Sequence, residues 1–242
     1  SLMALEASPV TRCVFEHVYF ARPDSKVFGG SVDRSRRALG RQLARECPAP
    51  TADVVFAVPD SSNSAALGFA EESRLPYELA LIRNHYVGRT FIQPTQAGRN
   101  AKVKVKYNPV REIIEGKSVV MVDDSIVRGT TTRGLVSLVR AAGAREVHMR
   151  VSSAPIISPC YYGIDTPRRE ELIAAQMTHE ELTRHLGVDS LGYLSIDGML
   201  SAMPEGPKGY CHACFSGQYP TATPAEPELL RAGSAAGLPR GR

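Results

Sequence analysis

The sequence has little of what marks a membrane or a secreted protein. No stretch approaches the roughly 20 consecutive apolar residues of a membrane-spanning helix, and the N-terminus lacks a charged segment followed by an apolar one. Five cysteines among 242 residues are too few and too unevenly spread for a disulfide scaffold. We therefore expect a soluble, cytoplasmic protein with no membrane partner, whose cysteines are thiols or metal ligands.

An excess of charge of one sign is also missing. The net charge is +4, from 29 Lys and Arg against 25 Asp and Glu, and the basic residues are scattered rather than gathered in an arm. We therefore predict no nucleic-acid partner. The six histidines show no recognisable catalytic pairing, which favours surface or core positions for them.

Composition divides the chain into three parts. Residues 1–12 contain Pro9 and little periodicity, and we interpret them as a linker. Residues 13–220 are predicted to form the folded domain. The tail, residues 221–242, is rich in Pro, Ala and Gly and is predicted to be disordered.

Apolar patterns in the domain alternate between those of strands and those of helices. Strands are predicted at 53–58, 79–83, 118–122 and 146–151, and helices at 32–46, 64–73, 131–142, 168–175 and 178–186. The last helix opens with a capping box formed by Thr178 and Glu181. This alternation predicts an α/β fold, with a mainly parallel sheet, helices on both faces and a C-terminal helical segment.

Residues 86–109 have no sustained period and include Gly88, Pro94 and Pro109. Loops longer than about 12–15 residues are usually functional lids or disordered segments. The Arg and Lys content of this segment favours a lid.

One run of residues, VVMVDDSIVRGTTT at 119–132, predicts a ligand site. A buried strand ends in Asp123 and Asp124, and a short loop with Gly129 leads into a helix. Ligands gather at the carboxyl ends of parallel strands, and free amides at a helix start bind phosphate. The two carboxylates would repel phosphate and suit ribose hydroxyls or Mg²⁺. An isolated Asp-Asp-Ser could also be a solvated strand end.

The whole run resembles the phosphoribosyl pyrophosphate (PRPP) signature of type I phosphoribosyltransferases. This resemblance implies that Asp123 and Asp124 bind ribose and Mg²⁺ and take part in catalysis. It also implies that the following loop wraps the 5-phosphate of the substrate. The residues of that loop are Ser125, Ile126, Val127, Arg128, Gly129, Thr130 and Thr131.

Other segments resemble one family of these enzymes, the amidophosphoribosyltransferases. The segments are FEHVYFARPDS at 15–25, VPDS at 58–61, YVGRTFIQP at 86–94 and PCYYGID at 159–165, in the family's order. With the stretches between them, they cover nearly all of residues 13–220. The resemblance implies that ammonia displaces pyrophosphate from PRPP to give 5-phosphoribosylamine, the first committed step of purine biosynthesis.

The same resemblance assigns residues outside the signature. Ser61 would contribute to the Mg²⁺ site, and the loop with Arg89 would close over the substrate and act in catalysis. Lys106, like Lys104, could contact pyrophosphate or belong to a solvated face. Arg83 stands where Lys is more common, which keeps a cationic phosphate contact but alters its geometry.

The cysteines are ambiguous by themselves. Cys211 and Cys214 form a CxxC motif that could be a redox pair, half of a zinc site or chance. One branch of the family carries a [4Fe–4S] cluster, and the resemblance implies Cys13, Cys160, Cys211 and Cys214 as its ligands, with a structural role. Cys47 matches no ligand and is predicted to be a half-buried thiol at a helix end.

The family also suggests partners. Its members contain a glutaminase domain with an N-terminal cysteine nucleophile, and no residue before Cys13 matches it, so we expect this chain alone to use free ammonia. Purine nucleotide feedback and a homo-oligomer, a tetramer in the family, are further expectations. The alternatives are a salvage phosphoribosyltransferase and a non-catalytic regulator that senses PRPP.

Overall fold

The structure is a computed structural model, and it describes residues 10–84, 106–166 and 168–223. Most of the predicted lid, including Arg89, therefore lies outside the described residues, as does the tail from residue 224. Among the described residues, no helix is long and apolar enough to cross a membrane.

A four-stranded parallel sheet forms the centre of the fold. Its strands, in spatial order, are β4 (Val54–Ala57), β7 (Ser118–Asp123), β8 (Glu146–Val151) and β9 (Ser190–Tyr193). Every residue of β4 and β7 is buried, as expected for parallel strands covered on both faces. The predicted parallel sheet is confirmed, although β9 was not predicted.

Helices cover both faces of this sheet. Helices α1 (Val32–Glu46) and α2 (Asn63–Ser73) pack on one face, and α4 (Thr130–Ala141) and α6 (His179–Leu186) on the other. Alternate residues of β7 enter the two cores: Val120 and Val122 pack with the first pair of helices, and Val119 and Met121 with the second. The predicted α/β architecture is therefore confirmed.

Helix α1 has the predicted bounds, and its close contact with α2 depends on glycine. The Ser31 hydroxyl accepts a hydrogen bond from the Arg34 amide and caps the N-terminus. A Cβ atom at Gly40 would lie 1.8 Å from the Ala65 carbonyl oxygen of α2. This close approach of the two backbones places the start of α2, and the turn before it, beside the end of β7.

Two short strands differ in part from the predictions. The predicted strand at 79–83 is confirmed over Leu81–Arg83 (β5), but it pairs antiparallel with β6 (Tyr107–Pro109) outside the parallel sheet. The predicted loop at 86–109 therefore ends too late, because its last three residues are strand. A three-residue edge strand ending in Pro109 has too little periodicity to be distinguished from a loop.

The helix predicted at 168–175 is not continuous. The chain forms a 3₁₀ turn at Arg169–Glu171, an extended residue at Leu172 and the short helix α5 (Ile173–Gln176). Leu172 packs into the core under α1 and α2, whereas Ile173 packs into the core on the opposite face. Adjacent residues that point in opposite directions need extended backbone. The neighbouring helix α6 has the predicted capping box of Thr178 and Glu181.

Short elements complete the described fold. They are β1 (Arg12–Cys13), the π-helix Glu16–Phe20, β2 (Lys26–Val27), β3 (Gly30–Ser31), α3 (Arg111–Ile114), α7 (Ile196–Ser201), β10 (Tyr210–Cys211) and α8 (Ala213–Ser216). Strands β2 and β3 form an antiparallel hairpin between the π-helix and α1. Strand β1 pairs in parallel with β10 and begins one residue before the predicted domain start.

Candidate functional site

Two adjacent carboxylates lie at the carboxyl end of β7 and are almost completely buried. Asp123 is 8% exposed and Asp124 is 5% exposed. The Ser62 hydroxyl lies 3.1 Å from Asp123 Oδ1 and 3.5 Å from Asp124 Oδ2, and the Asp124 amide donates to Asp123 Oδ1 at 2.9 Å. No ion pair joins either carboxylate to a basic side chain among the described residues.

Burial and mutual repulsion disfavour two negative charges at this position. Burial, and then the charge of Asp124, raise the pKa of Asp123 well above its ordinary value. Burial also raises the pKa of Asp124, although hydrogen bonds from Ser125 and Ser61 and the charge of Arg36 oppose this. A bound cation would relieve the repulsion, and the hard oxygen donors of this group are those that Mg²⁺ prefers.

The turn after β4 contributes hydroxyls to the same place. Because β4 and β7 are parallel neighbours, the 59–62 turn and the loop after Asp123 lie at the same edge of the sheet. Ser61, predicted from the resemblance, lies near enough to Asp124 for its hydroxyl to lower the pKa of that carboxyl against the effect of burial. Ser62 was not predicted, and it contacts both carboxylates. The sequence feature that could have identified Ser62 was its position in the Pro-Asp-Ser-Ser turn, just before α2.

The predicted phosphate loop leads into α4 through Gly129, which has a positive φ of 71°. No side chain of the described residues caps the first amides of this 12-residue helix, so these donors are open to an anion. Thr130 and Thr131 are exposed beside them, and Ile126 is buried beneath the loop. The Ser125 hydroxyl instead donates to Asp124 Oδ1 at 2.5 Å.

The predicted cationic residues occupy different surroundings. Arg83 forms an ion pair with Asp60 at 2.7 Å, and both side chains line a cleft of about 170 Å³. The Lys106 ammonium lies 5.4 Å from the centre of the Tyr107 ring. Arg128 pairs with Glu171 on the surface at 2.7 Å. Lys106 lies within the predicted lid at 86–109, and Arg83 lies just before it, with its partner Asp60 in the turn that carries Ser61.

A buried arginine that the sequence did not reveal adds a fixed positive charge. Arg36 of α1 is 2% exposed and donates to the backbone oxygens of His17 and Ala21 at 2.9 and 2.7 Å. Its charge helps to lower the pKa of Asp124 against the effect of burial. Arg36 therefore binds the backbone of the π-helical turn and its neighbour Ala21, and its charge acts on Asp124.

The four predicted cluster ligands come together from three separate segments. Cys13 of β1 and Cys211 of β10 are direct partners in the parallel pairing. The amides of Ile157 and Ser158 donate to the Cys214 carbonyl oxygen, which brings α8 to the segment that leads to Cys160. Cys13, Cys160 and Cys211 all interact electrostatically with Cys214, and burial, followed by these charges, raises its pKa.

The chemistry of these side chains limits what they could bind. The four thiols are electrostatic neighbours, and an all-thiolate donor set suits an iron–sulfur cluster or zinc. Among the described residues, no group of three or more His, Cys, Asp or Glu side chains that could hold a metal ion is found. Cys47 lies elsewhere: half-buried at the end of α1, it donates to the Tyr193 carbonyl oxygen at 3.4 Å.

No protein-family model matches the chain, but it is similar to curated and solved proteins over most of its length. The amidophosphoribosyltransferase of Archaeoglobus fulgidus is 56% identical over 216 residues, which is 88% of this chain and 47% of that protein. One solved structure, described as the allosteric regulatory enzyme of purine biosynthesis, matches with a TM-score of 0.83 at 50% identity, over 92% of this chain and 48% of the other.

A second solved structure is glutamine PRPP amidotransferase from B. subtilis in complex with ADP and GMP. It matches with a TM-score of 0.81 at 51% identity and covers 91% of this chain and 49% of the other. The parallel sheet and these matches define a type I phosphoribosyltransferase domain. The chain belongs to the amidophosphoribosyltransferase family. It spans about half the length of the curated relatives it matches.

Proposed function

We propose that this chain binds PRPP and catalyses its reaction with ammonia, giving 5-phosphoribosylamine and pyrophosphate. The observation that carries the proposal is the buried acidic pair at the end of β7, placed between the Ser61–Ser62 turn and the open amides at the start of α4. Membership of the amidophosphoribosyltransferase family supports this choice of reaction over the others that a phosphoribosyl site could perform.

In this proposal each part of the site contacts one part of the substrate. The amides and hydroxyls of residues 125–131 hold the 5-phosphate, and Asp123 and Asp124 accept hydrogen bonds from the ribose hydroxyls. The ammonia nitrogen forms a bond to C1 of the ribose, and the bond from C1 to the pyrophosphate oxygen breaks. Pyrophosphate leaves with the electron pair, and the new ammonium group loses a proton to solvent.

The residues that would hold Mg²⁺ are Ser61, Asp123 and Asp124, since they provide oxygen ligands in one place. The ion, when bound, would neutralise charge on the departing pyrophosphate. Arg83 and Lys106 are proposed to contact the phosphates of the substrate. Arg89, which lies outside the described residues, is proposed to act in catalysis from the loop that closes over the site.

Pyrophosphate release tests the reaction. The chain is incubated with PRPP and Mg²⁺, and ammonia, glutamine, hypoxanthine, guanine and orotate are supplied in separate reactions. We expect release with ammonia. Turnover with a nucleobase would instead identify a salvage enzyme, and binding of PRPP without turnover under any condition would identify a sensor. Glutamine-dependent release would contradict the expectation that this chain uses free ammonia.

The four cysteines are proposed to bind a [4Fe–4S] cluster that ties β1 and β10 to the segment around Cys160. The cluster would be structural, because the displacement at C1 transfers no electron. Protein purified without oxygen should absorb in the region of about 400 nm, typical of cysteine-ligated clusters, and should contain iron and sulfide. Protein that folds fully with neither iron nor sulfide would contradict this part of the proposal.

The remaining expectations concern regulation and assembly. A purine nucleotide could place its 5-phosphate in the loop at residues 125–131 and compete with PRPP, and the related B. subtilis enzyme was solved with ADP and GMP. A homotetramer and a cytoplasmic location stay predictions. Calorimetry, which measures competition between PRPP and each nucleotide, tests the expected feedback. Sedimentation tests the expected homotetramer.

A further inference from the structure

A few buried polar atoms in the described part of the chain have no hydrogen-bond partner. They are both ring nitrogens of His17, the Ser153 hydroxyl and the Tyr193 hydroxyl. Buried polar atoms in native proteins nearly always have a partner, so each exception needs a physical reason. Tyr193 is the one whose electrostatic surroundings include Asp123 of the proposed substrate site.

The register of the sheet places Tyr193 and Asp123 on one face. Asp123 of β7 is paired with Val151 of β8, and Val151 is paired with Tyr193 of β9. Residues at one level of a parallel sheet point to the same side, and two strand spacings separate their Cα atoms by about 10 Å. Val151, the residue between them, is short and fully buried, so the long tyrosine side chain can extend over it towards Asp123.

The Asp123 carboxylate has acceptor capacity to spare. Within the described residues, both of its side-chain hydrogen bonds, from Ser62 Oγ and from the Asp124 amide, end on Oδ1. A carboxylate has about four acceptor positions on its two oxygens. Oδ2 is therefore open to a further donor when the group is ionised.

The Tyr193 hydroxyl has the character of a donor. Burial, and then the charge of Asp123, raise the pKa of Tyr193 above its ordinary value, so the hydroxyl keeps its proton. Its ring makes an edge contact with His179 of α6, with 6.5 Å between ring centres. The buried hydroxyl thus belongs to a side chain that packing holds in place.

We propose that Tyr193 is a positioning residue: in the complex with PRPP and Mg²⁺, its hydroxyl donates a hydrogen bond to Asp123 Oδ2, directly or through one water. The inference rests on the proposed function, because it assigns Asp123 to the ribose and the metal ion. Ser62 and Tyr193 would then support the two oxygens of one carboxylate from opposite sides.

The proposal predicts that Tyr193→Phe weakens PRPP binding without lowering the stability of the free protein. In the free protein the hydroxyl is buried without a partner, so its removal in Tyr193→Phe should leave the melting temperature unchanged or raise it. In the complex, the same change removes a hydrogen bond to a charged group. We expect the affinity for PRPP with Mg²⁺ to fall about 10- to 100-fold, with a raised KM and a nearly unchanged kcat.

Tyr210→Phe is the matched control. The Tyr210 hydroxyl is engaged, since it donates to the Pro204 carbonyl oxygen at 3.1 Å. This variant should therefore lose stability and keep its affinity for PRPP, which is the reverse of the result expected for Tyr193→Phe. A Tyr193→Phe protein that binds PRPP as tightly as the parent, or that loses affinity only as much as Tyr210→Phe does, overturns the proposal.

Calorimetry with two probes distinguishes this role from a general disturbance of the site. Inorganic phosphate should contact the loop at residues 125–131 and not Asp123, so Tyr193→Phe should bind it as the parent does. Equal weakening of phosphate and PRPP would show that Tyr193 acts through the loop and would overturn the proposal. PRPP binding is measured apart from turnover, so a parent chain that binds PRPP without ammonia-dependent turnover contradicts the proposed reaction and still tests Tyr193.

Discussion

Two groups of buried polar side chains lie on the same sheet, and they are satisfied in different ways. In the first group, His148 lies between the Ser118 and Ser190 hydroxyls, at 3.0 and 2.8 Å. Arg150 donates to Ser190 and to the carbonyl oxygens of Cys47, Pro48 and Met149 at 2.7–3.0 Å. We call these residues, Ser118, His148, Arg150 and Ser190, the serine–histidine–arginine network.

The second group is the acidic pair with its neighbours at the carboxyl end of β7. Asp123 and Asp124 share the Ser62 hydroxyl, and the charge of Asp124 makes ionisation of Asp123 more costly. Tyr193, whose buried hydroxyl has no partner among the described residues, is an electrostatic neighbour of Asp123. A polar group that the chain satisfies by itself contributes to stability, whereas one left incomplete is available to a ligand and costs stability until the ligand binds. This difference separates the structural network from the candidate site.

The largest expected effect comes from neutralising one carboxylate of the pair. Asp123→Asn removes a buried like charge, so the free energy of unfolding without ligand should stay equal or rise. Affinity for PRPP with Mg²⁺ should fall at least about 100-fold, because charged hydrogen bonds to ribose and a metal ligand are lost. Urea unfolding and calorimetry measure the two quantities.

Asp53→Asn is the control for this change. Asp53, exposed beside the start of β7, accepts a hydrogen bond from the Ser118 amide at 2.7 Å and pairs with Arg145. Its substitution should cost some stability and leave PRPP affinity unchanged. If both aspartates affect binding equally, or if Asp123→Asn unfolds the protein, the distinction between the two groups fails.

The second prediction is a loss of stability when the serine–histidine–arginine network is disrupted. Arg150 is 5% exposed and has no carboxylate partner within the described residues, so its charge is balanced by oxygen dipoles alone. Arg150→Met leaves several buried acceptors without donors and should cost about 3–5 kcal/mol in the free energy of unfolding. Affinity for PRPP should stay the same in the fraction of protein that is folded.

Arg41, which is partly exposed and pairs with Glu71 at 3.0 Å, gives the comparison for this variant. Arg41→Met should cost no more than about 1 kcal/mol, as is usual for surface ion pairs. If the two substitutions lower the free energy of unfolding by similar amounts, the buried network contributes no more to stability than a surface ion pair does. A loss of PRPP affinity in folded Arg150→Met protein would show that the network also supports binding at the candidate site.

The sequence was sufficient where the signal is continuous along the chain. The run of residues 119–132 contains the strand, the acids, the glycine and the helix start, and the structure places them together at the sheet edge. The bounds of α1 and the capping box of α6 were likewise local and are confirmed. Local patterns therefore predicted the strand, loop and helix start on which the candidate site is built and most of the parallel sheet.

Contacts between distant segments could not be predicted in this way. Nothing in the residues around Tyr193 indicates that β9 lies two strands from Asp123, and the serine and glycine in its four residues conceal the strand. The burial of Arg36 and the role of Ser62 also depend on α1 and α2 packing against the sheet. The four cysteines were grouped by family resemblance, because their spacing alone allowed several kinds of site.

The smallest expected effect uses two glycines on either side of β7. Gly129 and Gly116 have similar positive φ values of 71° and 74°, so alanine should strain the backbone equally at both, by about 1–2 kcal/mol. A Cβ atom at Gly129 would lie 2.7 Å from Ile173 Cδ1, whereas at Gly116 it would meet nothing within 4 Å. Gly129→Ala should therefore lose more stability than Gly116→Ala and should also weaken PRPP binding, since the strain falls on the phosphate loop. Urea unfolding and calorimetry of the two variants measure this difference, and equal stability with equal PRPP affinity would mean that the packing of Gly129 on Ile173 does not shape the loop.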